Sequence, residues 1–279
     1  MNGKIMVLKS SGEKQAFSSE KLKGSLLRSG ATEELAQSIL EEILDYFREE
    51  TTTKEIYRKA FQLLRKNVRG TAARYSLKNA IMELGPSGYP FEQFVGELFR
   101  SKGYSVDVSQ IIQGCCITHE VDVVARNGNK KIIVECKYHN SQGSISNVKV
   151  PLYIHARFND IIKNHEATKP DEKLEFEGWI VTNTRFSDDA ATYGRCAGLN
   201  LIAWDYPKEG SLKQWVEKTG YFPVTVLTNL TKSQKKQLID SGIILCKHLL
   251  DKKNALDTFG LSEKAKSKVF DEIKELIKI

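Results

Sequence analysis

The stretch that most constrains this chain runs Glu120-Val121-Asp122-Val123-Val124-Ala125, Asn127-Gly128-Asn129, Ile132-Ile133-Val134-Glu135-Cys136-Lys137. Two short runs rich in β-branched residues flank an Asn-Gly turn, the pattern of a β-hairpin. Ile132 to Val134 is apolar throughout, as in a strand covered on both faces. Side chains alternate along a strand, so Glu135 and Lys137 point to one side. With Asp122 projecting to that side, two carboxylates and an ammonium converge at the end of the hairpin. Carboxylate oxygens are the donors Mg²⁺ prefers, and a neighbouring lysine can orient water or stabilise developing negative charge. Phosphodiester hydrolysis needs these parts. The plainer alternative is a cross-strand ion pair on a surface, which contributes little.

These residues resemble the PD-(D/E)xK nuclease superfamily, in its Mrr-like restriction endonuclease and Holliday-junction resolvase branch. Gly88-Tyr89-Pro90-Phe91-Glu92-Gln93-Phe94-Val95-Gly96-Glu97-Leu98-Phe99, followed by Gly103-Tyr104, looks like the opening helix of that branch. The resemblance covers about 88–205, with Val121 where the superfamily name places proline. It implies an α/β domain with a restriction-endonuclease-like mixed sheet. It also implies catalytic Glu92, Asp122, Glu135 and Lys137, and Mg²⁺ or Mn²⁺ held by Glu92, Asp122 and Glu135. DNA would be the substrate.

The first ninety residues read as a short β-hairpin (Ile5–Lys9, Gln15–Phe17) and four helices. Ser18 or Ser19, the Thr32 segment and Thr53 stand as helix starts. Leu35, Ile39, Ile43 and Leu44, then Ile56, Ala60, Leu63 and Leu64, recur at helical spacing. A fourth helix is predicted over 71–84, and Gly85-Pro86-Ser87-Gly88 ends the pattern. Val7-x-Lys9-x-x-Gly12, Phe17-Ser18-x-x-Lys21-Leu22, Thr53-x-x-Ile56 and Ala73-Arg74-Tyr75 resemble the ATP-cone, a nucleotide-sensing module. That resemblance implies ATP or dATP as an allosteric ligand. Val7 would line the adenine, Lys9 and Lys21 would reach phosphates, Thr53 would supply a hydroxyl, and Lys78 would be a further phosphate contact. Ser10-Ser11 replace the basic residue and aspartate usual after Lys9. The alternative is that these lysines are ordinary surface residues. No P-loop or G-x-G-x-x-G occurs.

Beyond the hairpin, Tyr138–Asn147 is polar and a helix is predicted to about Lys163, carrying Tyr153, His155, Arg157 and Phe158. Gly178–Thr182 and Leu199–Trp204 read as strands around a helix over Asp188–Cys196, a right-handed crossover extending the sheet. Arg185, at a strand's carboxyl end, is either a phosphate contact or a turn residue ahead of a Ser187 cap. His119 and His139 bracket the acidic site as possible proton carriers. The segment from Leu230 is mainly helical and resembles a helix-hairpin-helix pair without its usual Gly-x-Gly. It either touches DNA phosphates, caps the sheet or forms a dimer interface.

The reading is therefore multidomain: a mostly α ATP-cone over 1–86, the α/β nuclease domain over 87–228, and a small helical region over 229–279. Lys and Arg outnumber Asp and Glu by 15 to 11 in 1–88 and by 11 to 7 in 229–279, against 16 to 17 between. Basic flanks fit a nucleic-acid partner around a core made neutral by acidic ligands. The five cysteines are odd in number and contain no C-x-x-C, reading as reduced thiols rather than a disulfide framework or zinc site. No apolar run is long enough to span a bilayer. The expectation is a cytoplasmic, homo-oligomeric (dimer or higher), metal-dependent DNA endonuclease regulated by ATP or dATP. The alternative is a nucleotide-responsive, nucleic-acid-binding regulator built on an inactive nuclease fold.

Overall fold

A computed structural model describes residues 6–8, 13–47 and 51–277. In chain order the elements are β1 Met6–Leu8, β2 Lys14–Ala16, α1 Ser19–Arg28, α2 Glu33–Tyr46, α3 Thr53–Asn67, α4 Arg69–Tyr75, α5 Leu77–Met82, α6 Tyr89–Arg100, β3 Ser105–Gln113, β4 Thr118–Asn127 and β5 Lys130–Lys137. They continue with β6 Ile145–Ser146, α7 Lys149–Thr168, β7 Glu175–Thr182, β8 Arg185–Phe186, α8 Asp188–Cys196, β9 Asn200–Ile202, α9 Leu212–Thr219, α10 Lys232–Asp240, α11 Cys246–Asp251 and α12 Glu263–Ile277. Residues cluster into two compact units. One holds the described residues to Leu77, Val226–Thr231 and the chain from Leu261; the other holds Lys78–Thr225 and Lys232–Gly260.

In the first unit Leu22 and Leu26 of α1, Ile39 and Ile43 of α2, and Ile56, Ala60 and Leu64 of α3 close one core with Val7. These positions recur every three or four residues, so each helix turns a continuous apolar stripe inward. Ser18 and Thr32 cap α1 and α2 through their side chains. Thr52, rather than Thr53, caps α3, forming a capping box with Glu55. The helix predicted over 71–84 divides at Ser76 into α4 and α5. Helix α12 packs on α4, and Arg74 Nη2 donates to Leu276 O at 2.9 Å. Buried Glu272 of α12 accepts from the backbone N–H groups of Thr228 and Asn229 at 2.7 and 3.1 Å.

The second unit is built on a five-stranded sheet in the order β3-β4-β5-β7-β9. Strands β3, β4 and β5 are antiparallel neighbours, whereas β5, β7 and β9 run parallel. Ile132, Val134 and Ile180 are all 1% exposed or less, as the apolar runs require. On one face lies α7, with Ile154, Phe158 and Ile161 against Val124, Ile133 and Leu201. On the other, α6 buries Phe91, Phe94, Val95, Leu98 and Phe99. The Phe99 ring meets Trp179 of β7 and Trp215 of α9 edge-on, at 5.3 and 5.0 Å between centroids. Strand β3, left unassigned by sequence, forms the sheet edge.

Candidate active site

Strands β4 and β5 pair from Asn127–Lys130 as far as Val123–Val134. One step further, Asp122 and Glu135 face each other across the fork where the paired register stops. Asp122 Oδ2 accepts the backbone N–H of Cys136 at 2.6 Å, fastening its carboxylate to β5. At this level the edge strand also bends: Ser109 of β3 has φ 53°. Its hydroxyl donates to Glu92 Oε2 at 3.3 Å, tying the first turn of α6 to the sheet. A residue preceding the bend, Val108, and one following it, Gln110, keep pairing with β4.

Glu135 is the most enclosed member, at 7% exposure. Its Oε1 accepts from Lys137 Nζ at 2.5 Å and from the Tyr153 hydroxyl at 3.1 Å. Its Oε2 accepts from Arg157 Nη1 at 2.6 Å, and the same nitrogen donates to Glu120 O at 3.0 Å. Tyr153 and Arg157 are four residues apart on α7, hence on one helix face. Sequence reading placed both on the helix without linking them to Glu135. The i, i+4 spacing was visible; the partner, about twenty residues earlier on a strand, was not.

Electrostatics separate the roles of these groups. Burial, reinforced by Glu135 and Glu92, pushes the Asp122 carboxyl up to about 7 despite its hydrogen bond from Cys136. Burial, with Glu120 and Glu135 adding repulsion, also raises Glu92 against the Ser109 hydrogen bond. Lys137 goes the other way. Burial alone would lower it, but the adjacent Glu135 carboxylate holds its pKa well above the ordinary lysine value. Lys137 is accordingly a hydrogen-bond donor and fixed positive charge, and its amine has no free lone pair for base chemistry.

The structure thus brings Glu92, Asp122, Glu135 and Lys137 into one electrostatic cluster, with Glu120 beside it. Among the described residues, Glu92, Asp122 and Glu135 do not all three bring an oxygen within 4.8 Å of the others. Lys137, Tyr153 and Arg157 hold Glu135 in place. Mg²⁺ uses one or two carboxylates and completes its shell with water and substrate phosphate. A partly buried Asp122 whose charge is opposed by neighbouring carboxylates suits such a cation.

Other expected residues lie elsewhere. His119 Nε2 sits 2.8 Å from Asp160 Oδ2, while His139 Nε2 sits 3.0 Å from Ser146 Oγ. Burial and the Lys137 charge depress the His139 imidazole. Arg185 is exposed at the start of β8, and Ser187 caps α8. Lys78 lies in the second unit with its Nζ 5.7 Å from the Trp204 ring centre, and burial lowers its pKa. Val7 is buried in the first unit's core, Lys21 is exposed on α1, and Thr53 is the exposed first residue of α3. Lys9 and Gly12 lie outside the described residues.

Comparison with known proteins supplies the family. Residues 85–208 match the restriction endonuclease family Mrr_cat, and residues 222–277 match AF1548-like, C-terminal. The latter occupies the segment that resembled a helix-hairpin-helix pair. An uncharacterized protein of Archaeoglobus fulgidus is 32% identical over 184 residues, covering 66% of this chain and 99% of the relative. The crystal structure of AF1548, a protein of unknown function, aligns at 30% identity with a TM-score of 0.55, covering 68% of this chain and 98% of that one. MspJI restriction endonuclease in complex with a 27-mer oligonucleotide aligns at 16% identity and a TM-score of 0.32, over 54% of this chain and 36% of its own. No helix among the described residues is long and apolar enough to cross a membrane. The chain belongs to the AF1548-like family and carries a restriction-endonuclease-like domain over residues 85–208.

Proposed function

We propose that the protein is a metal-dependent DNA endonuclease whose chemistry is centred on Asp122, Glu135 and Lys137. The observation that carries this reading is the strand fork, which holds two carboxylates opposite each other beside a permanently charged lysine. Asp122 and Glu135, with Glu92 contributing directly or through water, would hold Mg²⁺ or Mn²⁺. When bound, such an ion neutralises phosphate charge and lowers the pKa of water.

The protein's own groups perform the positioning. Arg157 and Tyr153 fix the position of the Glu135 carboxylate. Lys137 donates to the attacking water or to a non-bridging phosphate oxygen, aligning one with the other. Asp122 is anchored through Oδ2 by the Cys136 N–H, and its other oxygen would be the one offered to the metal. Lys137 ends β5, Arg185 opens β8 just after β7, and Trp204 follows β9 with Lys78 against its ring, a surface suited to a DNA backbone. Near the start of α6 a cleft of about 210 Å³ is lined by Pro86 and Pro90 and by charges of both signs, Lys232, Lys235 and Lys236 against Glu83 and Asp240.

The first unit is assigned to sensing ATP or dATP through Val7, Lys9, Lys21 and Thr53, and the active species to a homo-oligomer in the cytoplasm; Lys78 lies in the second unit and is left to the DNA-facing surface. The competing reading, a DNA-binding regulator on an inert nuclease fold, draws on the full engagement of both Glu135 oxygens by Lys137, Tyr153 and Arg157. Cleavage of supercoiled, linear and branched DNA with Mg²⁺ or Mn²⁺, with and without ATP and dATP, separates the two. Metal-dependent cutting by wild type that vanishes in Lys137→Ala supports the enzyme. Undiminished DNA binding with no cutting of any substrate favours the regulator.

A further inference from the structure

The hairpin turn between β3 and β4 is pressed onto α7 at Asp160. Cys115 N–H donates to Asp160 O at 3.0 Å, and Cys116 N–H to Asp160 Oδ1 at 2.9 Å. Ile117 N–H reaches Asp160 Oδ2 at 3.4 Å. Gly114 has no room for a side chain: a Cβ there would collide with Asp160 Oδ2 and stand 2.7 Å from Ile117 O. From the neighbouring strand, His119 Nε2 approaches Asp160 Oδ2 to 2.8 Å, with both side chains only 10% and 13% exposed. The Cys115 and Cys116 sulfurs and an Asp160 oxygen all lie within 4.8 Å of one another.

Two thiols, a carboxylate and an imidazole bound to that carboxylate form the donor chemistry of zinc, and a poor set for Mg²⁺ or Ca²⁺. Metal–donor distances of about 2.0–2.3 Å place tetrahedral donors about 3.3–3.8 Å apart. Rotation of two exposed cysteine side chains covers the remaining distance. We propose that Cys115, Cys116 and Asp160 bind one zinc ion, with water in the fourth position and His119 orienting the Asp160 carboxylate. The ion fastens the β3–β4 turn to α7, the helix that presents Tyr153 and Arg157 to Glu135. Cysteine spacing alone argued against a zinc site, because the one further protein donor, Asp160, comes from helix α7, distant in sequence.

The test uses the full-length, reduced, metal-stripped protein, titrated with Zn²⁺ against a chromophoric chelator and with Co²⁺ by absorption. Wild type should take up one Zn²⁺, show a thiolate-to-cobalt charge-transfer band and melt at higher temperature with Zn²⁺ than without. Cys115→Ser with Cys116→Ser should lose the band and the thermal shift while keeping the wild-type circular dichroism spectrum. His119→Ala, a positioning change, should weaken binding by roughly 10- to 100-fold. Cys196→Ser and Asp122→Asn should leave the band intact, excluding the other exposed thiol and the acidic fork. A wild-type protein without a cobalt band, or a band that survives in the double serine variant, overturns the proposal.

Discussion

Asp122 holds its proton to about pH 7 in the folded protein, against an ordinary value of 3.8. As pH rises between those limits the unfolded chain releases this proton first, so folding stability falls. Asp122→Asn retains an acceptor for the Cys136 N–H and removes the charge. Without metal, the variant should match wild type near pH 4 and exceed its stability at pH 8 by up to about 4 kcal/mol, read by urea unfolding. On the proposed function it should also lose cleavage. Arg157→Ala removes the ion pair to Glu135 and the bond to Glu120 O. A loss of about 1.5–3 kcal/mol is expected, together with lower cleavage at unchanged DNA affinity, separated by comparing kcat with binding.

Helix α7 approaches the sheet closely because β7 has a glycine beneath it. A Cβ on Gly178 would stand 2.7 Å from Leu199 Cδ2 and 3.3 Å from Phe158 Cδ1. Gly178→Ala should therefore cost about 1–3 kcal/mol by overpacking, visible as a lower Tm. The elements differ in how plainly the sequence announces them. The β4–β5 hairpin was legible because apolar runs bracket Asn127-Gly128, and Gly128 adopts the φ of 58° that such a turn demands. The core face of α3 was legible for the same kind of reason: Ile56, Ala60, Leu63 and Leu64 keep helical period, and all four are buried. Strand β3 was not. Ser105, Asp107, Gln110 and Gln113 suit an edge that faces water, and the bend at Ser109 interrupts its alternation. Whereas Glu92, on α6, came only through the family resemblance, Asp122, Glu135 and Lys137 of the fork were readable from type and spacing. Their support from Tyr153 and Arg157 was not, since that contact follows from how α7 crosses the sheet.

Across the whole molecule the chain passes between its two units repeatedly, leaving the first after Leu77 and entering it again at Val226 and at Leu261. Glu272 secures the last of these returns. Its replacement by alanine leaves the N–H groups of Thr228 and Asn229 without their carboxylate, an expected loss of about 3 kcal/mol or more. Thermal unfolding measures the loss, and faster hydrogen exchange in α4 and α12 would locate it. The same interleaving sets an order of events at the ribosome. At about 5–20 residues per second, the sheet of the second unit is synthesised while the first unit still lacks the helix that packs on α4. The helices of the first unit that precede the sheet must therefore wait, with the packing surface of α4 uncovered, until α12 has followed.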